Sequence, residues 1–200
     1  MRTISIQRSL RTRSRIIALL WLAGLLGLAF GIAEAQDLKT GDPNKVMAGF
    51  IRNFAHYVIW PTNAFADEHS PWRIGIVGDD PLGDVLEKTL AGRSEQGRAF
   101  EVVRAKSVSE LPFCQIVFLE EKDSAKRRAA LDQLRDKPVL TVSDLPRFLQ
   151  DDGIIQFQIR ERIEMNINLD QARAVSLNIP AKVLEVTREV VENGKPRKLR

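Results

Sequence analysis

The sequence predicts an α/β fold: a three-layer α/β/α sandwich on a mostly parallel sheet, with an antiparallel hairpin toward the C-terminus. Three observations predict it. From residue 43 onward, short apolar runs alternate with amphipathic helical stretches. The run CQIVFLEE at 114–121 is apolar without alternation, as for a strand buried on both faces. The later stretch GIIQFQIRERIEMNINL holds two β-rich runs, 153–159 and 162–168, separated by a hairpin-length gap.

Residues 1–35 read as a cleavable signal peptide. Arg2, Arg8, Arg11, Arg13 and Arg15 form a basic head, Ile16–Ile32 an apolar run of 17 residues, and Ala33-Glu34-Ala35 a small-x-small cleavage site. A membrane anchor is the rival reading, but the run is short for a bilayer span. Of 30 basic and 26 acidic residues, this segment holds five Arg and one Glu, leaving 25 of each sign in the remainder. The high pI therefore comes from the leader, and no nucleic-acid partner is expected. A single domain over 36–194 follows, then a basic tail, 195–200, read as solvated and frayed.

Asp42-Pro43 is a helix start, with Asp as N-cap and Pro at the first helical position. Val46, Met47, Phe50, Ile51, Phe54, Ala55, Val58 and Ile59 follow at helical spacing, and Trp60-Pro61 ends the helix. A polar loop covers 62–72, and a strand 73–77. A turn at Gly78–Asp80 leads into a helix from Pro81 to about Ala91, capped by Asp80. Strands follow at 98–106 and 114–121. A charged helix at 123–136 turns Ala125, Ala129, Ala130, Leu131 and Leu134 to the core. A strand at 138–144 leads to a short helix through Leu149, and then to the hairpin. Two helices close the chain. One starts after Asn168; the other carries Val183, Leu184, Val190 and Val191 and stops at Asn193-Gly194.

The chemical inventory is thin. GDDPLG at 78–83 has the spacing of a phosphate loop, but Asp84 stands where Lys is required and Val85 where Ser or Thr is. Asp79 and Asp80 serve capping and turn formation, or line a ligand site. His56 and His69 are isolated, and no nucleophile–base pair can be assembled, so no catalytic residue, metal or cofactor is expected. Cys114 is alone, which precludes an internal disulfide, and its apolar run makes it a buried thiol. Arg162, Glu164, Asn166 and Asn168 share one strand face, which lines a cleft or is solvated.

Several segments, in order, resemble the YfiR-like (DUF4154-type) family over about residues 43–190. VMAGFIRNFAHYVIWP resembles its opening helix through Gly49, Phe50, Ile51, Asn53, Phe54, Trp60 and Pro61. IGIVGDDPLGDVL is similar to its strand and turn, with Leu82 in place of Phe. CQIVFLEE, VLTVSDLPRFLQDDGIIQF and RIEMNINLDQAR match its later blocks, with Asp152-Gly153 in place of two glycines.

The resemblance implies a periplasmic regulator and not an enzyme. Such a protein binds the extracytoplasmic sensor domain of an inner-membrane diguanylate cyclase, or of a sensor kinase, and represses it, lowering cyclic di-GMP and biofilm formation. Some relatives pair a first-strand Cys with the Cys of the third. Gly75 holds the first-strand position here, so disulfide control is not expected. On the opening helix, Arg52, His56 and Tyr57, with Trp60, form the flank left to meet a partner or a second copy. The competing function is a periplasmic small-molecule binder. Its pocket would lie beyond the carboxyl ends of the strands, near Asp79, Asp80, Ser143 and Asp144, with Arg162, Asn166 and Asn168 as further candidate ligand contacts.

Overall fold

The computed structural model describes residues 41–78 and 82–199. The predicted leader and the Asp79-Asp80-Pro81 turn lie outside the described residues. The elements run α1 (Pro43–Tyr57), β1 (Trp72–Gly78), α2 (Gly83–Leu90), β2 (Ser94–Glu95), β3 (Arg98–Ala105), β4 (Ile116–Glu120) and α3 (Ser124–Asp132). They continue with β5 (Leu140–Ser143), β6 (Ile155–Ile159), β7 (Ile163–Asn168), α4 (Leu169–Ala174), α5 (Ala181–Leu184), β8 (Glu189–Glu192) and β9 (Lys195–Lys198). The fold is α/β, on a mixed, mostly parallel nine-stranded sheet ordered β2-β3-β1-β4-β5-β6-β7-β8-β9. β3, β1, β4, β5 and β6 are parallel neighbours, and β6–β7 is the antiparallel hairpin the sequence predicts.

Period-two alternation divides the core. Ile74, Ile76, Ile116, Phe118, Leu140 and Val142 join a cluster with Met47, Ile51 and Phe54 of α1 and Leu86 of α2. Val77, Val117 and Leu119 join a second cluster with Leu131 and Leu134. α1 lies against β7 and rests its aromatics on β6, with the Phe54 and Phe157 rings stacked at 6.2 Å. Full burial of one such side chain contributes about 1.5–3 kcal/mol.

Four expectations are corrected. The helix predicted from Pro81 begins at Gly83, with Leu82 in the capping position and no side-chain cap. On α3, Ala125 and Ala129 are exposed, while Arg127 is buried with Leu131. The expected last helix ends at Leu184, and the chain continues as the β8–β9 hairpin. Asn193 (φ 54°) and Gly194 (φ 68°) form its two-residue turn, the backbone shape that Asn-Gly favours. The residues read as a tail, Lys195–Lys198, are therefore the exposed edge strand β9, where Pro196 and the basic side chains discourage further pairing.

Arg127 is buried because it has partners. Its Nε donates to Asp151 Oδ2 at 2.9 Å, Nη2 meets the same oxygen, and Nη1 donates to the Glu121 carbonyl at 2.9 Å. Arg128 Nε donates to Asp151 Oδ1 at 2.8 Å, and the Ser124 hydroxyl also reaches this carboxylate. Burial alone would raise the Asp151 pKa. The hydrogen bonds and charge of Arg127, then those of Arg128 and Ser124, outweigh burial and hold it below the ordinary 3.8. This cluster ties α3 to the turn after β5.

Cys114 is buried, its thiol donates to the Pro112 carbonyl at 3.3 Å, and burial pushes its pKa up to about 11. A Cβ on Gly75 would lie 3.2 Å from Cys114 Sγ and 2.6 Å from Leu111 Cδ1. The strand positions thus face each other, and the Leu111 side chain fills the gap.

Asp151→Asn should cost about 3–5 kcal/mol in urea denaturation, because it leaves a buried guanidinium short of its counter-charge. In the unsubstituted protein the depressed pKa gives a stabilisation that is complete above 3.8 and lost as pH falls through the lower folded value. Denaturation midpoints in acid should show that loss; the Asn variant should lack it. A Gly75→Cys, Leu111→Ala double variant should oxidise to a disulfide. Thiol titration would then find no free thiol, with a gain of about 2–4 kcal/mol over its reduced form.

Candidate functional site

A cleft of about 640 Å³ opens at the amino ends of β1 and β3. Three segments wall it. The C-terminal end of α1 and its exit supply His56, Tyr57, Ile59 and Trp60. The 62–72 loop supplies Phe65, Asp67 and Glu68, and the β2–β3 hairpin supplies Gln96 and Arg98. α1 ends here because Val58 turns extended (ψ 140°), and Ile59 then pairs with Asn178 through two backbone hydrogen bonds of 3.0 Å.

Long side chains fasten each wall. Buried Gln115 donates from Nε2 to the Ala64 carbonyl at 2.8 Å and accepts from the Arg73 N–H at 2.8 Å, holding the loop to β1. Trp72 Nε1 donates to the Glu95 carbonyl at 3.1 Å, holding the hairpin. His56 Nδ1 lies 3.0 Å from Glu95 Oε1, joining helix and hairpin. Arg98 donates to the carbonyls of Asp67 and Ser70, both at 2.8 Å, while its guanidinium sits 4.1 Å above the Phe65 ring centre. Asp67 Oδ1 accepts from the N–H groups of His69 (2.8 Å) and Ser70 (2.7 Å). Those bonds, first that from His69, hold the Asp67 pKa below its ordinary value.

The structure brings His56, Tyr57 and Trp60 together on this cleft and leaves Arg52 exposed outside its lining. Tyr57 is 38% and Ile59 55% exposed. Trp60 is not free: it packs edge-on against buried Trp72 at 5.0 Å, and its Nε1 is buried without a hydrogen-bond partner. On the same helix, Val46, expected in the core, is 39% exposed.

The other candidates are dispersed. Asp79 and Asp80 lie outside the described residues. Ser143 is fully buried; its hydroxyl donates to the Leu119 carbonyl at 2.7 Å and accepts from Leu145 N–H at 3.1 Å, while Asp144 is half-buried beside it. Asn168 is buried and caps α4 by accepting from Gln171 N–H at 3.0 Å. Asn166 is buried beside Gln156, and its Oδ1 has no hydrogen-bond partner. Arg162 is exposed and lines a surface hollow of about 390 Å³ with Phe50, Glu164 and Arg188. The hydrogen bond from Arg188 keeps the Glu164 pKa below its ordinary value.

Sequence reasoning missed Phe65, Asp67, Glu68, Gln96 and Arg98. The Asp67–Ser70 turn had a signal in its Asx and Ser residues. The β2–β3 hairpin turns on Gln96 (φ 51°) and Gly97 (φ 76°), and Gln-Gly is a faint version of the Asn-Gly signal.

A comparison with curated proteins found no match. A family model described as YfiR/HmsC-like (DUF4154) matches residues 44–188, from the first turn of α1 to the residue before β8. That range includes every wall of the cleft and, Val190 apart, the buried residues of both core clusters, and the chain belongs to the YfiR/HmsC-like family.

Proposed function

We propose that this protein is a periplasmic regulator that binds the extracytoplasmic sensor domain of an inner-membrane diguanylate cyclase, or of a sensor kinase, and represses it. The family match over residues 44–188 carries the reading, since membership suggests a periplasmic regulatory role. The partner and the repression go beyond that membership and are ours. The two core clusters read as the two covers of a three-layer body, a rigid platform for such a contact.

The mechanism needs no bond-making. A protein that binds only the inactive shape of its partner shifts the partner's population by its differential affinity, and a hundredfold shift takes about 2.7 kcal/mol. Tyr57 supports the cleft side as the contact face: it is 38% exposed, and its ring rests edge-on against His56 at the surface. Arg52, exposed one turn before His56 on α1, extends that flank, and a second copy of the chain could meet it as well.

Deleting the gene should raise cellular cyclic di-GMP and biofilm mass, and complementation should restore both. Tyr57→Ala should leave the melting temperature unchanged and weaken partner binding roughly 5- to 30-fold, the effect of losing an aromatic anchor. Trp60→Ala is the poorer probe, because it also opens a hole against Trp72 and should cost about 3 kcal/mol of stability. A deletion strain with unchanged cyclic di-GMP and an unchanged sensor-kinase output would overturn the proposal.

A further inference from the structure

We infer that the 640 Å³ cleft is a binding site for an organic cation, an alkylammonium or guanidinium group borne on an apolar body. Tyr57, Trp60 and Phe65 bring their rings to it, with buried Trp72 packed behind Trp60 and Phe65. Aromatic faces attract cations through the ring quadrupole, and the attraction grows when the cation is drawn out of water. The cleft already shows this chemistry once. Arg98 lies over Phe65 at 4.1 Å and gives its N–H groups to two loop carbonyls. Tyr57 and Trp60 stand on the other wall, Tyr57 edge-on to the His56 ring at 4.5 Å and Trp60 edge-on to Trp72 at 5.0 Å, and among the described residues neither has a guanidinium or ammonium group over its face as Phe65 has.

Charge points the same way. Asp67 and Glu68 line the cleft, and Glu95 sits behind His56. Arg98 is the one permanent cation in the lining, and its guanidinium is occupied by Phe65 and the two carbonyls. The Asp67 carboxylate is taken up by the His69 and Ser70 N–H groups and Glu95 by His56, which leaves the Glu68 carboxylate at the rim to repel an anion and meet a cation. The apolar body has its own surface in Ile59, 55% exposed, beside Tyr57. The volume suits a small molecule or a few residues of a peptide.

The inference does not require the regulatory reading, because the isolated protein would bind. Trp60 and Trp72 both line the cleft, and the only other tryptophan is Trp21. In full-chain protein carrying Trp21→Phe, indole emission therefore reports this site alone. Titration with tetramethylammonium chloride should give a saturable change that equal sodium chloride does not give. Tyr57→Ala should weaken it about tenfold, and Glu68→Gln should weaken it in the same direction, with unchanged circular dichroism in both. The peptide acetyl-Gly-Leu-Arg-Leu-Gly-amide provides a second arm. Binding tighter than that of the ammonium ion would make a partner's basic side chain the source; weaker binding would make it a free amine. Responses to both probes that merely follow ionic strength, or that survive Tyr57→Ala undiminished, would overturn the inference. Cyclic di-GMP measurements would stand or fall separately.

Discussion

Burial of β4 on both faces is the constraint from which the rest of the architecture follows. All five of its residues, Ile116–Glu120, are buried, with β1 on one side and β5 on the other. A strand so placed cannot turn a polar face to water, so its alternate side chains must each find an apolar cover. Ile116 and Phe118 find α1 and α2; Val117 and Leu119 find Leu131 and Leu134. Covers on both faces require crossovers between parallel strands, and these fix where each helix can lie. α1 is thereby held across the sheet by Met47, Ile51 and Phe54, and its far end is delivered to the amino ends of β1 and β3. The cleft is a consequence of that placement.

The same logic explains what could be read from the sequence. Elements specified by local chemistry were legible: α1 with its Asp42 cap, whose side chain accepts from Asn44 N–H, and the unbroken apolar run of β4. Elements decided by distant partners were not. Helical spacing made Ala125 and Ala129 core positions and did not name Arg127 among them. Asp151, 24 residues away, reverses this by taking the guanidinium inside. Val190 and Val191 fit a helical stripe as well as a strand. Pairing with Ile167 and Asn168 of β7 settled the matter, and the Asn-Gly then acted as a hairpin turn instead of a helix stop.

The site was legible only in part, for a geometric reason. His56, Tyr57 and Trp60 sit on one stretch of sequence, and aromatic side chains flanking a helical stripe stand out. The loop and hairpin that complete the cleft are far from them in sequence and carry no motif. The general rule for parallel sheets looked instead to the carboxyl ends of the strands. There, at β5, the chain fills the space itself. The Ser143 hydroxyl bridges the Leu119 carbonyl and Leu145 N–H, and the Arg127–Asp151 cluster closes the turn behind it. The cleft lies at the opposite ends of the strands, where β1 begins at Trp72 and β3 at Arg98.

That cleft is preset, which bears on how it could be used. The loop and hairpin walls are held by long side chains bonded to backbone, Gln115 to Ala64, Trp72 to Glu95, and Arg98 to Asp67 and Ser70, and the end of α1 by the Ile59–Asn178 backbone pair. A surface assembled before binding forfeits little conformational freedom on contact, so more of the contact energy appears as affinity. A protein that regulates by preferring one shape of its partner depends on that economy. Each kcal/mol spent ordering its own loops would be taken from the few that separate the partner's two states.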